Sequence, residues 1–284
     1  MAHECFTVDI TDKVAHVRMS RPQRFNSMIP AFWKELPQIV DEISGAGKAR
    51  SIVLSGEGKH FCAGMDLEVF TGGDSPVAGG VAKDRGHQSR QRANFRLTAL
   101  AAQEAFNALE RARMPVLAAV QGGCIGGGVD MVSACDMRYA DQSAFFCIQE
   151  INIGMTADVG TLQRMPKLIP EGVVRELAYT GRKMSADEAQ RVGFVNSVYP
   201  DQDTMVDAVL DTAAEISSKS PMAVWGTKQT MHYSRDHSVA DGLEYIATWN
   251  AAMFDTDDMA EAFTAQAEGR MAEFPDLAPE SRGI

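Results

Sequence analysis

Short apolar segments with strand character alternate with amphipathic helices through the first two thirds of this 284-residue chain. The helices are marked by apolar residues three and four positions apart, and the strands by short runs of β-branched and apolar residues. The predicted strands are Phe6 to Ile10, Val14 to Met19, Ser51 to Ser55 and Val116 to Val120, and the predicted helices between them are Ile29 to Ile43 and Phe95 to Arg111. Strands that alternate with helices in this way predict an α/β fold.

Strand signals end near residue 203, and the remaining sequence has only helical patterns. We therefore predict two regions, an α/β core over residues 1–202 and a helical region over residues 203–284. The second region could pack on its own core or on a neighbouring subunit. Residues 71–93 are rich in glycine and polar residues and are predicted to form a surface loop.

The charge balance limits the classes of partner. The chain has 27 Lys and Arg against 38 Asp and Glu, a net charge of −11, which argues against general binding to nucleic acid or to anionic membranes. The five cysteines are odd in number and form no CxxC pair, so we expect reduced thiols and no zinc site. We find no secretory signal, membrane-length apolar segment or peroxisomal C-terminal tripeptide, and on these grounds we predict a cytoplasmic protein.

Two glycine-rich segments follow predicted strands, His60 to Leu67 and Gln121 to Gly128. Glycine lets a ligand approach the backbone closely, and the first N–H groups of a helix have no partner within the helix. Two such N–H groups that converge on one oxygen would form an oxyanion hole, suited to a thioester enolate. The alternative is that these glycines only permit tight turns. The segments match neither the GxxxxGK[ST] nor the GxGxxG phosphate-binding pattern.

Three carboxylates accompany the second glycine segment. Asp130 lies three residues after Gly127, so the two share a helix face. Glu150 lies in an apolar run, and Asp158 is predicted in the first turn of a helix capped by Thr156. Acids in apolar surroundings, close to one another, have raised pKa values that suit proton transfer at neutral pH. The alternatives are a surface position for Asp130, an ion pair of Glu150 with Arg138 or Arg164, and a dipole-favoured helix start for Asp158.

At these residues the sequence resembles the crotonase (enoyl-CoA hydratase/isomerase) superfamily, and within it the Δ3,5-Δ2,4-dienoyl-CoA isomerases. The likeness covers about residues 5 to 255. It rests on the following runs: Phe61-Cys62-Ala63-Gly64-Met65-Asp66-Leu67, Gly122 to Asp130, Ala134-Cys135-Asp136, Arg138-Tyr139, Glu150, Ala157 to Arg164, Ala214 to Pro221 and Ser234 to Val239. Residues 71–93 match that family poorly.

The resemblance implies a spiral of ββα units followed by C-terminal helices that build trimers or hexamers. It implies an acyl-CoA thioester substrate, no metal and no cofactor beyond the CoA of the substrate. The expected catalytic acids are Glu150, Asp158 and Asp130, the expected oxyanion-hole donors are the N–H groups of Ala63 and Gly127, and the expected substrate-binding residues are Arg24, Ala63, Gly64, Met65, Asp66, Leu67 and Gly127.

The implied reaction is the isomerisation of 3,5-dienoyl-CoA to 2,4-dienoyl-CoA in the degradation of unsaturated fatty acids. The first alternative is a 2-enoyl-CoA hydratase. By the family pattern, hydratases have Glu at the position of Asp130 and a small residue at the position of Asp158. The second alternative is a non-catalytic acyl-CoA-binding scaffold.

Overall fold

The computed structural model describes residues 3–66, 69 and 88–281. Its larger sheet has the strand order β1-β2-β3-β4-β6-β9. These strands are β1 (Phe6–Thr11), β2 (Val14–Met19), β3 (Ser51–Gly56), β4 (Val116–Val120), β6 (Met137–Asp141) and β9 (Ser197–Tyr199). Only the pair β1–β2 is antiparallel, and the others are parallel. Every residue of β3 and β4 is buried, as expected for central strands of a sheet covered on both faces.

A smaller sheet runs beside the first and has the order β5-β7-β8. It contains β5 (Gly123–Ile125), β7 (Phe145–Cys147) and β8 (Met184–Ser185). An isolated bridge between Cys62 and Cys124 places the segment after β3 next to β5. The units that begin with β3, β4 and β6 thus each send a first strand to the large sheet and a second extended segment to the small one. This repeated ββα arrangement confirms the predicted α/β class.

The helices pack around these sheets. They are α1 (Phe32–Ala46), α2 (Gln88–Arg111), α3 (Gly127–Ser133), α4 (Thr161–Arg164), α5 (Glu171–Thr180), α6 (Ala186–Arg191), α7 (Gln202–Ser217), α8 (Pro221–Arg235), α9 (Val239–Met253) and α10 (Thr256–Glu268). Several begin at side-chain caps that the sequence indicates. Ser185 accepts from the N–H of Glu188 at 3.2 Å, and Ser238 forms a capping box with Asp241.

The predicted boundary near residue 203 falls at the start of a helix that belongs to the core. Helix α7 packs Met205, Val209 and Ala213 against Val53 and Leu117 of the large sheet. Beyond it, α8 is fixed to the core by the buried Lys228 ammonium, which donates to the carbonyls of residues 109 and 114 and pairs with the carboxylate of residue 136. The two helices that follow α8 bury few residues, Gly242 in α9 and Asp258 and Ala265 in α10.

Two local predictions were wrong. Helix α2 begins at Gln88, so residues 88–93 are helical, while residues 71–87 of the predicted loop lie outside the described residues. Asp158 is not in a helix, because α4 starts at Thr161 with Gly160 as its N-cap, and Thr156 makes no cap there. The glycine at residue 160 has a φ of 138°, which a side chain rarely adopts, and it separates Asp158 from the helix.

Candidate active site

The segment after β3 pairs with Met28, and this pairing decides which backbone groups are free. The Met28 N–H donates to the carbonyl of Gly64 at 2.8 Å, and the Asp66 N–H donates to the carbonyl of Met28 at 3.0 Å. In a parallel pair the residue between the two bonded ones turns its own N–H to the opposite side. That residue is Met65, so its N–H points away from Met28. The segment that contains Ile125 lies beside Gly64, the residue before Met65.

The predicted donor Ala63 is already engaged. Its N–H donates to the carbonyl of Phe25 at 3.0 Å, so it is not available to a thioester oxygen. Within the described part of the chain, the N–H of Met65 has no hydrogen-bond partner. The structure therefore replaces Ala63 by Met65 as the candidate donor from this segment. The physical reason is the register of pairing with residues 25–28, about 40 positions earlier in the chain.

The second predicted donor is positioned as expected. Gly127 is the first residue of α3, where an N–H has no acceptor within the helix, and none is found for it in the ranges that the structure describes. A Cβ at Gly127 would lie 2.9 Å from Sδ of Met28, the residue that pairs with Met65. Gly127 and Met65 thus both adjoin Met28, which brings the two candidate donors to one site.

A second glycine holds the two segments together. Gly64 has a φ of 84°, and a Cβ there would fall 2.8 Å from the carbonyl oxygen of Ile125. The N–H of Gly64 also donates to Sγ of the buried Cys62 at 3.4 Å. A larger residue at position 64 would push the segments apart, so this glycine is required for close approach as well as for its backbone conformation.

Glu150 reaches the same place from a short 3₁₀ helix, Glu150–Ile153. One carboxylate oxygen, Oε1, lies 3.2 Å from the point that a Cβ of Gly126 would occupy. The other oxygen, Oε2, is buried and has no hydrogen-bond partner among the residues that the structure describes. Burial and the charges of Asp130 and Asp158 raise the pKa of Glu150 to about 7. The group is thus an acid or a base at neutral pH.

Asp130 is fully buried on α3. Its Oδ1 accepts from the N–H of Thr161 at 2.6 Å, which ties the start of α4 to α3, while Oδ2 has no hydrogen-bond partner in the described part of the chain. Burial and the charge of Asp158 raise the pKa of Asp130 to about 6, against the opposing effects of the Thr161 hydrogen bond and the charge of Arg164. The structure therefore excludes the surface position that we considered for Asp130.

Asp158 completes the group of acids. Burial raises its pKa, and its charge acts on both Asp130 and Glu150, so the three carboxylates form one coupled set. Gln103 of α2 donates from Nε2 to the backbone carbonyl of Asp158 at 2.7 Å and fixes this non-helical segment. Asp158 is partly exposed, as a group that meets a substrate must be.

The alternative ion pairs of Glu150 do not form. Arg164 pairs with Glu110 at 2.8 Å, and Arg138 donates to backbone carbonyls, including that of Phe194 at 2.7 Å. No ion pair involves Glu150 in the residues that the structure describes. A carboxylate that is partly buried without a cation is suited to exchanging a proton with a ligand.

Arg24 and Asp66 lie next to each other beside the 62–66 segment. Nη2 of Arg24 is 3.6 Å from Oδ2 of Asp66, and Ser27 donates to the same oxygen at 2.7 Å. Asp66 is buried, so it holds the segment in place, whereas the Arg24 side chain is about half exposed and can meet a ligand. Leu67, also predicted to bind substrate, lies outside the described residues.

Sequence reasoning missed the groups that act through the backbone. Thr161 and Gln103 support the carboxylates, and Met65 was named only as a residue along the CoA path. Thr161 lies within Ala157 to Arg164, one of the runs that resemble the family, and Gln103 is a polar residue beside the apolar stripe of α2. The sequence therefore gives a weak indication of a role for each. It gives none for the free N–H of Met65, because every residue but proline has such a group.

Comparisons with known proteins give the family of this chain. Residues 9–277 match the family model described as enoyl-CoA hydratase/isomerase, and the chain belongs to that family. It is 47% identical over 259 residues to the mitochondrial Δ(3,5)-Δ(2,4)-dienoyl-CoA isomerase of Homo sapiens, covering 90% of this chain and 77% of that protein. It is 40% identical to the peroxisomal enzyme of that name from Arabidopsis thaliana, covering 93% of each.

The crystal structure of an enoyl-CoA hydratase from Bacillus anthracis has a TM-score of 0.84 and 29% sequence identity, covering 95% of this chain and 99% of that one. This likeness confirms the predicted crotonase-like fold. The compartment prediction was wrong, because the two isomerases are named as mitochondrial and peroxisomal proteins and not as cytoplasmic ones. In the ranges that the structure describes, no helix combines the length and apolar character needed to span a membrane.

Proposed function

We propose that this protein is an isomerase that converts 3,5-dienoyl-CoA to 2,4-dienoyl-CoA in the degradation of unsaturated fatty acids. The observation that carries the proposal is the coupled set of Asp130, Glu150 and Asp158 beside the free N–H groups of Met65 and Gly127. Relatives at 40–47% identity with the name of this activity support the same conclusion.

The reaction needs two proton transfers at separated carbons. The hydrogens at C2 of a 3,5-dienoyl thioester are acidic, because their removal gives an enolate that is delocalised over the thioester and the diene. A proton must then be added at C6, four bonds away. One carboxylate cannot easily serve both carbons, which is why a site with Glu150 and Asp158 suits this reaction better than hydration, which acts at C2 and C3 alone.

We assign Glu150 to the removal of the C2 proton and Asp158 to the delivery of a proton at C6. The pKa of Glu150, about 7, matches a base that works near neutral pH. The N–H groups of Met65 and Gly127 would donate to the thioester oxygen as it becomes negative, an interaction of about 3–4 kcal/mol per donor in the transition state. The chemistry is proton transfer alone, so we propose no cofactor beyond the CoA of the substrate.

The CoA portion would pass along residues 63–67. The half-exposed guanidinium of Arg24 lies beside this segment and would meet the CoA phosphates, a role that also compensates locally for the net negative charge of the chain. Met65 would contact the substrate through its backbone, whereas the buried Gly64 and Asp66 would maintain the segment.

We also propose that the protein assembles as a trimer or a hexamer. Large apolar side chains are exposed on α9, on α10 and between them, with Leu243 63%, Phe263 65% and Phe254 56% exposed. Apolar surface of this kind on helices that bury few of their residues favours an interface with another subunit.

The proposed activity is tested by incubating the purified protein with 3,5-dienoyl-CoA and, separately, with 2-enoyl-CoA. The first should give the conjugated 2,4-dienoyl-CoA, followed by its ultraviolet absorbance, and the second should be hydrated much more slowly. Efficient hydration without dienoyl isomerisation would show that the protein is a hydratase. Binding of both thioesters without turnover would indicate the non-catalytic scaffold.

A further inference from the structure

A reaction in which one acid removes a proton and another acid donates one leaves both acids in the protonation state opposite to the one they started in. After one turnover Glu150 holds the proton from C2, and Asp158 has lost the proton that it gave to C6. The next turnover requires the opposite state. This inference rests on the proposed function, because only an isomerisation with separate acids for C2 and C6 creates the need to return a proton.

Asp130 has the features of a group that returns it. Its side chain is fully buried, with one oxygen fixed by the Thr161 N–H at 2.6 Å and the other, Oδ2, without a hydrogen-bond partner in the ranges described. Oε2 of Glu150 is also buried and unpartnered. A buried polar atom without a partner is costly, so two in one site call for an explanation. The two acids lie in one region, because Oε1 of Glu150 is 3.2 Å from the point that a Cβ of Gly126 would occupy, and Gly126 is one helical turn before Asp130.

Asp130 is also coupled to both of the other acids. Its charge raises the pKa of Glu150 more than the charge of Asp158 does, and it is itself affected by Asp158. Asp130 therefore interacts with Glu150 more strongly than Asp158 does, and it also interacts with Asp158. The positive charge of Arg164 also acts on Asp130, and Arg164 is itself paired with Glu110 at 2.8 Å.

We propose that Asp130 returns the proton from Glu150 to Asp158 between turnovers. The O–H bond of Glu150 breaks as an O–H bond forms at Oδ2 of Asp130. That bond then breaks as the carboxyl of Asp158 is protonated, and one negative charge moves from Asp158 to Glu150. No electron transfer or further reactant is involved. The residue acts through the other two acids and not on the substrate.

The pKa values permit this exchange. Burial brings those of Asp130 and Glu150 to about 6 and about 7, so a proton can move between them with only a small change in free energy. Exchange with water is the competing route for Glu150 and Asp158, which are partly exposed. Asp130 is not exposed, so a proton on it can go only to a neighbouring group.

A crossover experiment with the wild-type protein tests the proposal directly. A mixture of C2-deuterated 3,5-dienoyl-CoA and an unlabelled substrate of shorter chain is converted in ordinary water. The returned deuterium should appear at C6 of the shorter product, since it is delivered in a later turnover. The products are analysed by mass spectrometry. The proposal is overturned if all of the removed deuterium is lost to water. It is also overturned if deuterium reaches C6 only in the molecule that lost it from C2.

The variant Asp130→Asn separates return of the proton from catalysis. It keeps the Oδ1 atom that accepts from Thr161 but cannot carry a proton between acids. We expect a rapid burst of about one product per site, followed by a steady state about 10²-fold slower. The slow phase should accelerate with the concentration of a small carboxylic acid buffer, and the deuterium crossover should disappear. A merely structural role would produce neither effect.

Asp141→Asn is the matched control, because Asp141 is another buried carboxylate, bonded to the N–H and Oγ of Ser143 and outside the site. It should show no burst. If Asp130→Asn lowers the first turnover and the steady state in proportion, without a buffer effect, Asp130 does not return the proton. If the wild-type protein does not isomerise 3,5-dienoyl-CoA at all, the proposed function fails instead.

Discussion

Replacing a single backbone N–H by an ester oxygen distinguishes Met65 from Ala63 as the donor to the thioester oxygen. The change is made by incorporating the α-hydroxy acid counterpart of either residue, which removes the N–H and keeps the side chain. The Ala63 N–H donates to Phe25 at 3.0 Å, whereas the Met65 N–H has no partner in the described chain. The two esters should therefore affect different properties.

The ester at position 65 should lower kcat by about 10²–10³-fold, the usual cost of losing one oxyanion-hole donor. Its effect on the free energy of unfolding should be small. The ester at position 63 loses an internal hydrogen bond and should reduce that free energy by about 1 kcal/mol more than the first, with near-normal kcat.

The two esters are well matched. Each also weakens one carbonyl acceptor, that of Gly64 for the N–H of Met28 at 2.8 Å and that of Cys62 for the N–H of Ile125 at 3.0 Å. The assay measures kcat with 3,5-dienoyl-CoA and urea unfolding for both proteins. A large loss of kcat at position 63 with none at position 65 would refute the reasoning and restore Ala63 as the donor.

Three further predictions follow from the same structure. Asp158→Asn should lower dienoyl isomerisation by about 10²–10⁴-fold and change any hydration of 2-enoyl-CoA far less; an equal fall in both rates would make the residue structural. Because the pKa of Glu150 is raised from 4.5 to about 7, its contribution to stability is complete below pH 4.5 and is lost as the pH rises towards 7. Between pH 5 and pH 8 the wild type should therefore lose about 2 kcal/mol of unfolding free energy that Glu150→Gln does not lose. Urea titrations of both proteins at the two pH values measure this, and an equal pH dependence in the two would contradict it. Light scattering should give a trimer or hexamer that Leu243→Glu and Phe263→Glu dissociate, and a wild-type monomer at micromolar concentration would refute the assembly.

Features set by nearby residues were predictable from sequence. The strands Val14–Met19 and Val116–Val120 were predicted with the bounds that the structure has, because each is a short β-branched run between turn residues. Gly127 and Asp130 share a face of α3, as their spacing requires. The cap of Ser185 on the N–H of Glu188 is a local feature of the same kind, since it depends on four consecutive residues.

Features set by distant residues were not predictable in this way. The helix predicted to have Asp158 in its first turn starts later, at Thr161, where the N–H of Thr161 donates to the carboxylate of Asp130, 31 residues away. The raised pKa values of the three acids were expected in direction, but the coupling that orders them depends on how α3, the 3₁₀ helix at Glu150 and the segment at Asp158 come together.

The sequence by itself determined the α/β class, the two glycine-rich segments and the identity of the three acids, because each is written in local spacing or residue type. Only the tertiary structure decided which backbone N–H is free for a ligand. Every non-proline residue has the same N–H, and whether that group is occupied depends on the strand that lies beside it. Pairing of residues 62–66 with residues 25–28 uses the N–H of Ala63 and leaves that of Met65 open.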